Sequence, residues 1–341
     1  MSKGSKILTM TDIARLAGVS EATVSRALKG SPLINEKTRD RVQEIARAHN
    51  YRVNAAARNF RLKTTNTLAV VLLVDREWGH ELSDAFLMAL LGSIADEASQ
   101  LGYDLLLSTN PQNVQDLGAF FVESKRADGL IVIGQGRNDP RLDALAHSSV
   151  PFIVWGAELP GHDYVTVGSD NRQGGYAATR LLIRNGRRRI AFLGDVRHPE
   201  MEQRFEGYKD ALAEAGLPFD EALVIATEFS RSYGYEKTDR IVLGHHLDCD
   251  AIFCVSDNIA LGVIKRLAEA GVRVPEDVAV VGFDDIPIAA FSTPGITTVR
   301  QDVHEGGRML VRNLLKLMNG EAVAHAVMPV QLIVRQSCGQ A

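Results

Sequence analysis

The chain has 341 residues, 45% of them hydrophobic and 6% aromatic, with 38 Lys and Arg against 42 Asp and Glu. No apolar run is long enough to span a bilayer, and the opening MSKGSK leads straight into a helix signal rather than a secretory one. Cys249, Cys254 and Cys338 lack metal-ligand spacing, so they read as buried thiols and the chain as a cytoplasmic protein with no metal or other cofactor. The near-neutral total hides an asymmetry: residues 1–65 hold 13 Lys and Arg against 5 Asp and Glu, the remainder 25 against 37. A basic head on an acidic body is drawn to phosphate, with an affinity that falls as salt rises.

The head opens on Thr9 to Gly30, TMTDIARLAGVSEATVSRALKG. Thr9 and Asp12 form an acidic capping box, Ile13, Leu16 and Ala17 give an apolar face, and Gly18 ends the helix. Ser20 caps a second helix in which Val24, Ala27 and Leu28 turn inward, leaving Glu21, Ala22, Ser25 and Arg26 outward. Such a helix fits a major groove, where Arg pairs bidentately with guanine. A third segment, capped at Asn35 and carrying Val42, Ile45 and Ala46, completes a three-helix unit. From Asn54 to Arg61 follows NAAARNFR, whose residues favour helix but are too few to hold one in water.

Beyond Thr65 the runs TLAVVLLV, YDLLLST, DGLIVIG, VPFIVWG, RRIAFLGD, CDAIFCVS and VAVVGFDD alternate with amphipathic stretches such as Phe86 to Gln100 and Asn258 to Ala270. That alternation predicts buried parallel strands with crossover helices, and about 276 residues predict two α/β lobes rather than one. Val327 to Ser337 reads as one terminal strand. With only CGQA behind it, no heptad helix follows, and a dimer is expected rather than a tetramer.

DIARLAGVSEATVSRALKG, together with NYRVNAAAR at Asn50–Arg58, resembles the N-terminal signature and hinge of the LacI/GalR family of bacterial transcription regulators, and further matches run nearly to the C-terminus. The resemblance implies an α/β protein: a small all-α helix-turn-helix head (1–50), a hinge helix and linker (51–65), and a two-lobed periplasmic-binding-protein-like body with parallel sheets (66–341). Its N lobe would hold about 66–168 and 301–328, its C lobe about 169–300 and 329–341, with crossings near Val167–Ser169, Arg300–Asp302 and Met328–Val330. By position Glu21, Ala22 and Arg26 match the family's base-reading residues; Phe60, with Arg61 beside it, matches the apolar wedge of paired hinge helices in the minor groove. Phe60 and Val53 stand where the family commonly has Leu and Pro, giving a bulkier wedge and a less rigid hinge start. Thr9, Ser20, Glu21, Ala22, Thr23, Ser25 and Arg26, then Asn54, Arg58, Phe60 and Arg61, make up the expected set facing double-stranded DNA.

Ligands of open α/β sheets sit beyond the C-terminal ends of the strands, and between two lobes those ends share a cleft. The residues just past the apolar runs are Trp155, Glu200, Arg204, Ser256, Asp257 and Asp284. The resemblance supports Arg204 through R-x-x-G-Y and Asp284 through V-G-F-D-D, and adds Phe229 as a pocket aromatic, Gln301 through T-T-V-x-Q-D, and Asp84 and Phe86 as first-lobe lining. Carboxylates, a guanidinium and an amide around aromatic plates suit a sugar. Gly156, where some relatives carry a carboxylate, leaves space that would admit a disaccharide. There is no G-x-x-x-x-G-K-S/T loop, no G-x-S-x-G elbow and no His cluster at metal spacing, and His245-His246 diverge on a helix, so an enzyme is not expected. The sequence thus predicts a homodimeric repressor of carbohydrate-utilisation genes that binds a pseudo-palindromic operator and is switched by a mono- or disaccharide. A purine-like effector or corepressor, or a DNA-binding dimer without effector, are the alternatives.

Overall fold

The computed structural model describes residues 9–28, 30–49, 51, 64–73, 82–109, 114–242 and 249–339. Contacts divide the chain into two units, Met1–Thr65 and Asn66–Ala341. In the first, α1 (Met10–Ala17) starts at the capping box: Thr9 Oγ1 accepts from Asp12 N at 3.3 Å, and Asp12 Oδ2 accepts from Thr9 N at 2.9 Å. Gly18, at φ 63°, ends it in the left-handed region that glycine enters without strain. Ser20 Oγ accepts from Thr23 N at the start of α2 (Glu21–Leu28), and Asn35 Oδ1 accepts from Thr38 N at the start of α3 (Glu36–Ala48). Ile13, Ala14, Ala17, Val24, Ala27 and Val42 form the core. Leu16 departs from the expected apolar face and is 50% exposed. At 3.6 residues per turn the stripe through positions 13, 14 and 17 leaves 16 on its rim, and Ala14 takes the inward place.

The second unit contains two six-stranded sheets. The N-lobe sheet uses β1 (Thr67–Leu72), β2 (Asp104–Ser108), β3 (Gly129–Ile133), β4 (Phe152–Trp155), β5 (Thr166–Ser169) and β11 (Ala326–Met328), ordered β11-β5-β4-β3-β1-β2 and wholly parallel. The C-lobe sheet uses β6 (Ile190–Leu193), β7 (Val224–Ile225), β8 (Ala251–Cys254), β9 (Ala279–Asp284), β10 (Thr297–Arg300) and β12 (Gln331–Ile333), ordered β12-β10-β9-β8-β6-β7, with only β10–β12 antiparallel. All seven apolar runs form strands, whereas the terminal stretch is two short strands rather than one: β11 ends at Met328, and β12 begins in the other sheet after Pro329 and Val330. Proline has no N–H to donate to a ladder, so the strand breaks there.

Helices α4 (Ala85–Gln100), α5 (Pro140–Ala146) and α11 (Val303–Met318) flank the N-lobe sheet. Around the C-lobe sheet lie α6 (Asn171–Arg184), α7 (Pro199–Glu214), α8 (Arg231–Val242), α9 (Asp257–Glu269) and α10 (Pro287–Phe291). The chain passes between sheets at Ser169–Asn171, Arg300–Val303 and Met328–Gln331, and the first and third passages are joined by Asp170 N donating to Met328 O at 2.9 Å.

Glycine sets how closely the C-lobe helices approach. A Cβ at Gly175 of α6 would run into the Arg204 carbonyl of α7, and one at Gly207 into the Arg172 carbonyl. Gly234 and Gly262 make the same close crossing between α8 and α9. Since the obstacles are backbone atoms, they yield only by moving a helix, and overpacking of this kind costs about 1–3 kcal/mol. Gly175→Ala is expected to lower stability by that amount and to shift the helix that carries Arg204. Thermal denaturation checks it; an unchanged melting temperature would mean that the crossing has slack.

Candidate functional site

In the head, Ala22 and Arg26 are exposed and Glu21, Thr23 and Ser25 are half-buried, so α2 offers the outward face read from its sequence. Thr11 Oγ1 donates to Glu21 Oε1 at 2.5 Å, tying the start of α2 to α1. Thr9 and Ser20 act as helix caps. Asn54, Arg58, Phe60 and Arg61 lie outside the described residues, as do His245 and His246.

In the body, a cavity of about 390 Å³ lies where the C-terminal ends of both sheets face each other. Asp84, Phe86, Trp155, Glu200, Arg204, Phe229, Ser256, Asp284 and Gln301 all line it. Trp155, 6% exposed, and Phe86 form a tilted pair 6.1 Å apart, while Phe229 meets the His198 ring edge-on at 5.6 Å.

Arg204 is the most confined of these groups. Its guanidinium lies 3.6 Å from the centre of the Phe283 ring, Nε donates to Asn171 Oδ1 at 2.8 Å, and a terminal nitrogen donates to the Val255 carbonyl. Burial pulls its pKa down to about 10, against the opposing pull of Asp284 and Glu200. Burial likewise raises Glu200, and it raises Asp284 well above the usual carboxylate range despite Arg204. Asp284, at φ 111°, accepts from Gln301 Nε2 at 2.8 Å. Burial thus desolvates the polar groups of these walls, an environment in which a ligand hydroxyl gains most from each hydrogen bond.

Asp257 is the exception among the sequence candidates. It is fully buried and does not line the cavity: its Oδ2 accepts from Ile286 N at 2.9 Å, beneath the turn between β9 and α10. As the first residue of α9 it turns inward while Ser256, the cap, remains at the cavity wall. Asp285, next to Asp284 in the chain, points away from the cavity into ion pairs with Arg300 at 2.7 Å and Arg335 at 2.6 Å.

The space expected beside Gly156 is also taken. A Cβ there would collide with the Gln135 side-chain oxygen, so Gln135 occupies the room that the glycine leaves. Sequence reading passed over Gln135, Ser169 and Asn171, each of which lines the cavity and is at least 95% buried. The one signal for Gln135 was its place just past DGLIVIG, the rule that located the other candidates.

Among the described residues, polar contacts join the lobes across this cleft. Asn258 Nδ2 donates to Asp84 Oδ2 at 2.6 Å, and Arg137 pairs with Glu202. Asn171 and Gln301 stand at two of the chain passages between the sheets, and hold Arg204 and Asp284 respectively.

A three-helix head with an exposed second helix, followed by two parallel-sheet lobes around a polar cleft, is the build of a ligand-responsive DNA-binding regulator. The model for bacterial regulatory proteins of the lacI family matches residues 9–54, and that for periplasmic binding protein-like domains matches 179–338. The HTH-type transcriptional regulator CelR of Thermobifida fusca is 32% identical over 336 residues, spanning 96% of this chain and 98% of that one. A solved CelR–cellobiose complex is 31% identical with a TM-score of 0.73, covering 97% and 99%. A lac repressor dimer bound to operator and the anti-inducer ONPF shares the fold, with a TM-score of 0.85 at 24% identity over 98% and 100% of the two chains. The chain belongs to the LacI family of HTH-type transcriptional regulators.

Burial moves Asp257 up to about 7, with the Thr298 hydroxyl and Ile286 N–H pulling the other way. The folded chain thus holds a proton that an unfolded Asp releases near pH 4, so its burial costs stability increasingly as pH rises from about 4 to 7. Asp257→Asn is expected to be more stable than the parent by about 1–3 kcal/mol at about pH 8 and equal to it near pH 4. Melting temperatures at both pH values test this; a difference independent of pH would place the cost elsewhere.

Proposed function

We propose that this protein is a homodimeric repressor whose operator affinity is switched by a carbohydrate bound in the cleft. The observation that carries the reading is the Arg204–Asp284 pair: both groups face the cavity beside Trp155, Phe86 and Phe229, and both are tied to residues at the passages between lobes. A guanidinium and a carboxyl group give paired hydrogen bonds to vicinal hydroxyls, and the aromatic rings give a plate for the sugar's apolar face. We read the cleft as a binding site and the protein as a regulator rather than a catalyst, because Asp284 and Asp285 diverge and do not act on one centre. Its place is the cytoplasm, with the DNA it reads.

In this reading residues 1–50 are the DNA-binding head, 51–65 the hinge and 66–341 the effector-binding and dimerisation body. Two heads address the half-sites of a pseudo-palindromic operator, Glu21, Ala22, Ser25 and Arg26 face base edges, and Asn54, Arg58, Phe60 and Arg61 engage the minor groove between them. In this reading the hinge, residues 51–65, is the element that the effector biases.

The test is operator binding by fluorescence anisotropy, with and without sugars that raise the melting temperature of the purified protein. The expected change in operator affinity is about 5- to 150-fold, the usual range of allosteric coupling. Nucleobases acting where sugars do not would replace the carbohydrate reading with a purine one. No response to any ligand would leave a dimerising body.

Two substitutions should separate the functions. Arg26→Ala is expected to lose about 1–3 kcal/mol of discrimination at one base position per half-site and keep effector binding, measured with single-base operator variants. Asp284→Asn should keep operator affinity and lose the response to effector. A normal response in that variant would place the ligand elsewhere.

A further inference from the structure

Among the described residues, two buried polar groups on the N-lobe side of the cleft have an oxygen that no protein group satisfies. Gln135 is 4% exposed and Ser169 5% exposed, and both line the cavity. Gln135 Nε2 donates to the Tyr164 hydroxyl at 2.8 Å, which fixes the amide, yet its Oε1 accepts no hydrogen bond; Ser169 Oγ has no partner either. Both belong to the N lobe, at the ends of β3 and β5, opposite Arg204 and Asp284. A buried acceptor left unpaired is costly, and it persists where something else supplies the donor.

We propose that Gln135 and Ser169 form the N-lobe half of the effector site, with one ligand hydroxyl donating to Gln135 Oε1 and another hydrogen-bonding Ser169 Oγ, and that Gly156 is required because any larger residue displaces Gln135. This rests on the carbohydrate reading above and adds to it. A carbonyl oxygen reads only donors, so the effector must present an O–H toward the N lobe as well as hydroxyls toward the C lobe. A ligand held at both ends spans the cleft, and the bound state favours the two lobes in contact.

Gly156→Ala is the mild perturbation: the obstructing atom is the far end of a flexible side chain, so the backbone stays and only Gln135 moves. Gln135→Leu and Ser169→Ala remove the polar atoms directly. The probes are cellobiose, maltose, sucrose and lactose, titrated calorimetrically into the full-length protein and the three variants, followed by the monodeoxyfluoro analogues of whichever binds the unsubstituted protein best. Each variant is expected to weaken binding roughly 5- to 50-fold, the size of one hydrogen bond lost to a buried group, with the melting temperature of the free protein kept. One deoxyfluoro analogue should bind the unsubstituted protein as weakly as the parent sugar binds Gln135→Leu, and lose nothing further in that variant. If a sugar binds and all three variants bind it within twofold of the unsubstituted protein, the two groups are merely hydrated and the inference falls alone. If none of the sugars binds the unsubstituted protein, the carbohydrate reading falls and takes this inference with it.

Discussion

A guanidinium taken out of water organises the body of this protein. Arg204 lies against the Phe283 ring and spends its donors on the Asn171 side chain and the Val255 carbonyl. A buried charge is tolerated only when it is paired and hydrogen-bonded, so each of these partners is under constraint. They come from separate parts of the C lobe: Asn171 opens α6, Val255 follows β8, and Phe283 belongs to β9. Holding them around one side chain fixes the floor of the cleft. Gly175 and Gly207 supply the other condition, because α7 brings Arg204 to this place only if α6 lets it approach to backbone contact.

The same side chain links the cleft to the passages between the lobes. Asn171 and Gln301 stand where the chain passes between sheets, one held to Arg204 and the other to Asp284. Two of the groups that face the cavity are thus bonded to residues at the passages, while Asp84–Asn258 and Arg137–Glu202 join the lobes. The charge division adds the other half of the behaviour. Residues 1–65 are strongly basic and the rest acidic, so DNA attracts one unit and repels the other, and salt weakens the first effect.

Much of this was legible before any coordinates. Caps at Thr9, Ser20 and Asn35 are local events among residues three apart, and each forms as its spacing implies. The seven apolar runs become strands because a fully buried parallel strand needs a continuous apolar stretch, which few other structures use. The short, mixed stretches at β5, β7 and β10 carry no such signal; they are strands because their neighbours supply the ladder. Leu16 was misplaced because its residue type outweighed its angle on the helix.

By itself, then, the sequence determined the helices of the head, the seven strands written as continuous apolar runs, and the family, since these follow from local pattern and motif order; of its ten cleft candidates, four of them supplied by the family resemblance alone, nine line the cavity. Only the tertiary structure decided that Asp257 sits under a turn rather than in the cleft, that Gln135 fills the space beside Gly156, and that Asn171 anchors Arg204. Each of those outcomes is a choice among partners far apart in the chain. Spacing cannot express it, because the direction of a side chain at a strand end is set by whichever distant groups can satisfy or exclude it.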